Sequence, residues 1–103
     1  MYTIKITEPA RKDLENIVSY ISHDLQNPIS AKNTLSFIVA EICSLSDMPE
    51  RYPLVKDNIL AQKGFRILPC KNYLVFYIAR KGQNTVVIQR ILSSRRDWVN
   101  FLL

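Results

Sequence analysis

The chain has 103 residues, 48% of them hydrophobic, with two glycines and five prolines, so it is one domain with enough apolar mass for a core without disulfide staples, and a disordered chain is excluded. No apolar run approaches the roughly 18 residues of a membrane span, and MYTIKITEPARKD brings acids too early for a secretory signal. The net charge of +5 is polarised: residues 1–62 hold six Lys/Arg and eight Asp/Glu (−2), whereas residues 63–103 hold eight Lys/Arg against Asp97 alone (+7), a balance that points to a polyanionic or acidic partner for the second half.

YTIKI alternates and predicts a first strand. Glu8 and Pro9 open a helix, and Ala10, Leu14, Ile17 and Ile21 form one apolar stripe on it; it is expected to end near His23–Asn27. Asn27–Pro28 reads as N-cap and first helical position of a second helix, whose stripe is Ala31, Leu35, Ile38, Ile42 and Leu45. The two should form an antiparallel hairpin. SDMPERYPLVKDNILAQKG, broken by Pro49 and Pro53, reads as an ordered loop. FRIL, YLVFYIA and TVVIQRIL then read as strands, the last two joined by a turn in which Gly82 is available for positive φ. Ser94-Arg95-Arg96-Asp97 has the form of a capping box before a short helix carrying Trp98, Phe101 and Leu102. The expected fold is α+β in the order β-α-α-β-β-β-α, a single domain over 1–103 with the helical hairpin packed on a mostly antiparallel four-stranded sheet.

Few residues offer chemistry. His23, the single histidine, reads as a charge at a helix end. Cys43 and Cys70 lack metal-ligand spacing and read as reduced thiols, and neither a metal nor a cofactor is expected. Catalysis would fall to Arg, Lys, Tyr and the few acids, which suits phosphodiester chemistry. Alternation places Arg90 on a face with Val86 and Ile88, and leaves one sheet face free to expose Arg66, Tyr73 or Tyr77 and Arg90 as a basic, aromatic concavity. Arg95 and Arg96 stand at a helix start, where the helix dipole disfavours cations, so an anionic ligand is the better reason for them.

DLENIVSYI, MPERYP, GFRILPCKNYLVFYIA and RILSSRRDW, in this order over Tyr2 to Trp98, together resemble the RelE/ParE toxins of bacterial type II toxin–antitoxin systems. The resemblance implies a small cytoplasmic growth-inhibiting toxin, neutralised by a cognate antitoxin. Its target would be DNA gyrase, as in ParE-like members, or messenger RNA on the ribosome, cut without metal, as in RelE-like ones. Leu74 and Ser93 stand where RelE-like relatives often carry arginine and histidine, which favours gyrase. The target surface would include Arg66, Arg90, Arg95 and Arg96. In the nuclease alternative Tyr73 or Tyr77 would join them to move protons. Apolar parts of the hairpin and a sheet edge are expected to receive the antitoxin, with Trp98, Phe101 and Leu102 of the apolar tail as a second candidate contact. That tail folding back on the chain's own core is the competing expectation. Self-association is left open. The rival of another class is a non-toxic nucleic-acid-binding module using the same basic surface.

Overall fold

Thr7 joins the first strand to the first helix, β1 (Thr3–Ile6) to α1 (Glu8–Ser19), in a computed structural model that describes residues 1–102. Its hydroxyl accepts from the Ala10 N–H at 3.3 Å and lies 2.9 and 3.1 Å from the carbonyls of Ile88 and Gln89, so one side chain caps the helix and ties it to a neighbouring strand. Pro9 occupies the first turn, where its missing N–H has no intrahelical partner to lose. The helix continues into a π-helical turn, Tyr20–Asp24, in which the Leu25 N–H bonds the Tyr20 carbonyl at 3.0 Å. Asn27 then caps α2 (Pro28–Ser44) through a 3.0 Å bond from the Ser30 N–H, as its sequence position predicts. The two helices form the expected hairpin.

Three features of the expected chain path are corrected. The stretch before Gly64 is not helix-free: it holds a 3-10 turn, Pro49–Arg51, and a one-turn helix, α3 (Asn58–Gln62), capped by Asp57. One turn is too short to leave a periodic apolar signal. Between the strands β2 (Phe65–Cys70), β3 (Tyr73–Arg80) and β4 (Thr85–Ser93), the β3–β4 turn takes its positive φ at Asn84 (53°) rather than Gly82. Asn tolerates that region better than most residues, so the glycine is not required. Ser94 does not cap the last helix, α4 (Trp98–Leu102); it lies in a turn, and the helix starts after Asp97.

The sheet order is β1-β4-β3-β2, with β1 parallel to β4 and the other pairs antiparallel. Pro69 is tolerated because β2 is an edge strand. On one face Leu68, Val75, Tyr77, Val86, Ile88 and Ile91 are buried with Ala10, Ile38, Ile42 and Leu45 of the hairpin side. The other face was expected to be open, and it is not. Phe65, Phe76 and Leu92 are buried there under Val55 and Leu60, with Trp98 and Leu102 packed against them and the Trp98 ring 5.1 Å from that of Phe76. The strands alternate two apolar faces, and Ile67, Leu74, Phe76 and Ile78 are too apolar to leave wet. The tail therefore folds back on the chain's own core over its described part; Leu103 lies outside the described residues.

Candidate target-binding cleft

A bulge in β4 decides where its arginine goes. Phe76 pairs with Arg90 and Tyr77 with Ile88, leaving Gln89 unmatched. The extra residue inverts the alternation, so Arg90 does not share a face with Val86 and Ile88 as the sequence pattern predicts. Beyond Ile88 the strand has also lost β1, which ends at Ile6. Asp13 of α1 fills that edge: its Oδ2 accepts from the Ile91 N–H at 3.0 Å and from Arg90 Nε at 2.6 Å, and its Oδ1 from Arg90 Nη2 at 2.8 Å. This bidentate pair raises the pKa of Arg90 and balances its charge with that of the carboxylate.

The chain then turns at Ser94–Arg96. The Ser94 N–H donates to the Asn72 carbonyl at 2.9 Å and the Arg96 N–H to the Ser93 carbonyl at 3.1 Å. These bonds hold Arg95 and Arg96 exposed in a turn ahead of α4, not in its first turn as expected. Among the described residues neither guanidinium has a carboxylate within salt-bridge distance. Arg96 and Arg90 instead lie over the Phe101 ring, at 5.1 and 5.7 Å.

Between this turn and the tip of the hairpin opens a cleft of about 750 Å³. Arg90, Arg95 and Arg96 line its β4 side, with Tyr73 from the start of β3 and Asn72 from the turn before it. Asn16, Ile17, Tyr20 and Leu25 line the hairpin side. Burial raises the pKa of Tyr73. The cleft thus gathers Tyr73, Arg90, Arg95 and Arg96.

Arg66 and Tyr77 are placed elsewhere, and the single concavity joining them to Arg90 does not form. They pair across β2 and β3 on the hairpin face, under the 46–55 loop. Arg66 donates to the Tyr52 carbonyl at 2.6 Å and sits 3.6 Å from Glu50. Tyr77 is fully buried, its hydroxyl donates to the Pro49 carbonyl at 2.6 Å, and burial pushes its pKa up to about 12. His23 lies in the π-turn, its Nδ1 3.2 Å from the Ser19 carbonyl oxygen, and lines a separate apolar groove with Leu14, Val18 and Leu35. Trp98 and Leu102 are packed inward, while Phe101 stays 43% exposed.

Sequence reasoning missed Asp13, Tyr20 and Leu25. Asp13 carried a signal: three residues after Ala10 and four before Ile17, it flanks the buried stripe, where an acid needs a cationic partner. Tyr20 and Leu25 carried none, because only the π-turn brings positions five apart together.

A profile of the ParE toxin of type II toxin–antitoxin systems matches residues 4–98. The chain belongs to that family. No curated protein matches it by sequence. Among solved structures, the ParDE toxin–antitoxin system of P. aeruginosa superposes with a TM-score of 0.74 at 20% identity, covering 90% of this chain and 96% of that one. The RelBE toxin–antitoxin complex of Mycobacterium tuberculosis gives 0.67 at 23% identity, covering 89% and 96%. The isolated E. coli RelE toxin gives 0.59 at 13% identity, covering 99% and 94%. At these identities the likeness is one of fold, and the RelE/ParE fold is the one observed. The chain is a type II toxin of the ParE family.

Proposed function

We propose that this ParE-family toxin arrests growth in the cytoplasm by binding DNA gyrase, with the cleft at Arg95 and Arg96 as its working surface, and that a cognate antitoxin neutralises it. The observation that carries this reading is a cleft rich in cations and poor in proton acceptors. Tyr73 holds its proton more tightly than a free tyrosine, and Tyr77 is spoken for by Pro49. The Asp13 carboxylate already accepts from three N–H donors. A nuclease working near neutral pH needs a group to take the proton of the attacking hydroxyl, whereas binding needs only charge and shape.

The ribosome-dependent nuclease keeps one supporting feature, the presence of Tyr73 in the same cleft as three arginines, and it requires those cations to overcome the burial that raises the tyrosine's pKa. The antitoxin reading is supported by the toxin–antitoxin complexes among the fold relatives. On this chain, Phe101 is an exposed apolar side chain of the tail that an antitoxin could contact.

The test is DNA supercoiling by purified gyrase in the presence of the toxin. Inhibition that weakens at least about tenfold in the Arg95→Glu/Arg96→Glu variant is expected. Undisturbed supercoiling, together with transcripts cut at codon positions in cells, would overturn the proposal in favour of the nuclease.

A further inference from the structure

The cleft is two-sided in chemistry. Its β4 side carries Arg95 and Arg96, exposed and without a carboxylate partner among the described residues. Its hairpin side presents Tyr20 and Leu25, 53% and 56% exposed. Both belong to the π-turn, which Tyr20 opens and Leu25 caps. In an uninterrupted α-helix the neighbours of Tyr20 on its own face would be His23 and Asp24; the bond from the Leu25 N–H to the Tyr20 carbonyl, at 3.0 Å, brings the fifth residue round instead. The tip is held further by a 3.1 Å bond from the Asn27 N–H to the Ile21 carbonyl. Two large, exposed side chains thus line the same cleft as two cations that have no carboxylate partner among the described residues.

We infer that this cleft is a docking site for an acidic peptide segment of a protein partner, with an apolar side chain seated on Tyr20 and Leu25 and carboxylates a few residues away on Arg95 and Arg96. The inference deepens the binding reading above, on which it rests, by naming what the target protein presents.

Charge distribution favours a peptide over a nucleic-acid strand as the occupant. A strand carries a charge at every nucleotide and would have to run along the hairpin, whose half of the chain, residues 1–62, holds six Lys/Arg against eight Asp/Glu. Asp13 and Asp24 lie on that side, and the Arg90 charge is consumed by Asp13. A short segment with carboxylates at one end and an apolar residue at the other matches a surface that is cationic on one wall and apolar on the other. The arginines steer and the apolar pair anchors, so affinity should respond to both.

The experiment is amide chemical-shift mapping on the full chain. The probes are a short acetylated peptide with one leucine followed by a run of glutamates, the same peptide with serine for leucine, and a single-stranded oligonucleotide of matched charge. Leu25→Ser and Arg95→Glu alter exposed side chains, and retained Trp98 fluorescence shows that each variant folds. The leucine peptide is expected to shift amides around Tyr20–Leu25 and Ser94–Arg96. Its affinity should fall about tenfold in each variant, and about as much when serine replaces its leucine. Absence of peptide binding, shifts confined elsewhere, indifference to Leu25→Ser, or tighter binding of the oligonucleotide at the same amides would overturn the inference. Retention of purified gyrase by the same proteins reports separately on the target. If wild type fails to retain gyrase, the target reading fails whatever the peptide does; if both folded variants retain it unchanged, the inference and the cleft as working surface fail, and gyrase stands as the target.

Discussion

Asp13 joins the first helix to the last strand through a single carboxylate, and its three donors come from a segment that has no strand on that side. Its side chain is 12% exposed and that of Arg90 24%, so the pair is shielded enough for its loss to be felt. Asp13→Asn is expected to lower stability by about 1–3 kcal/mol in urea titrations, because a partly buried guanidinium loses its counter-charge. Combining it with Arg90→Met should recover part of that loss. Tyr77→Phe removes the bond to Pro49 and is expected to cost about 1 kcal/mol while leaving toxicity intact, which separates a structural hydroxyl from one that moves protons. Alkaline pH reads the same residue another way. Burial pushes Tyr77 up to about 12 from 10.0 and Cys70 up to about 11 from 9.0. Both are neutral when protonated, so their contribution is complete below about pH 9 and is lost as pH rises through the folded-state values. Stability measured in urea is expected to fall by about 2 kcal/mol or more between pH 9 and 12, and a flat profile would contradict the burial of these groups.

Among the elements, those read correctly were the ones with redundant signals. The hairpin was legible because each helix has an apolar stripe and a capped start, and the strands because apolar alternation and turn residues agree on their ends. The misses share a physical cause: each depends on one residue or one turn. The π-turn at Tyr20 is a single widened turn that leaves the apolar stripe unbroken up to Ile21. The bulge at Gln89 looks in sequence like one more strand residue, yet it moves Arg90 off the face that Val86 and Ile88 share. Deleting Gln89 would remove the bulge while keeping Arg90 opposite Phe76 and Ile91 opposite Val75; the expected result is a chain that still gives a cooperative unfolding transition in urea. The capping-box pattern at Ser94 placed the last helix a turn too early, because hydrogen bonds to Asn72 and Ser93 hold those residues in a turn. That helix is only five residues long and depends on packing rather than propensity. Trp98→Ala is expected to cost about 3 kcal/mol or more by leaving Phe76 partly uncovered. Urea titration followed by far-ultraviolet circular dichroism checks this, since the variant lacks the only tryptophan.

At the scale of the whole molecule, the sheet is buried on both faces, so recognition is confined to edges, tips and turns. The charge partition seen in the sequence survives folding as a cleft with one cationic wall, and this much of the site was legible in RILSSRRDW. The partner wall was not, since it comes from a hairpin tip some seventy residues earlier in the chain. Arg66, equally cationic in sequence, is withdrawn by Tyr52 and Glu50. The proposed activity therefore depends on Arg95 and Arg96 acting by binding rather than by chemistry. Its most direct test is controlled expression of the wild type, Tyr73→Phe and Arg95→Glu/Arg96→Glu in bacteria, with growth, a DNA-damage reporter and transcript ends followed in parallel. Wild type and Tyr73→Phe are expected to arrest growth with a DNA-damage response and intact transcripts, and the charge-reversed variant, folded and equally abundant, to be harmless. Cleaved transcripts that disappear in Tyr73→Phe, or full toxicity of the charge-reversed variant, would contradict it.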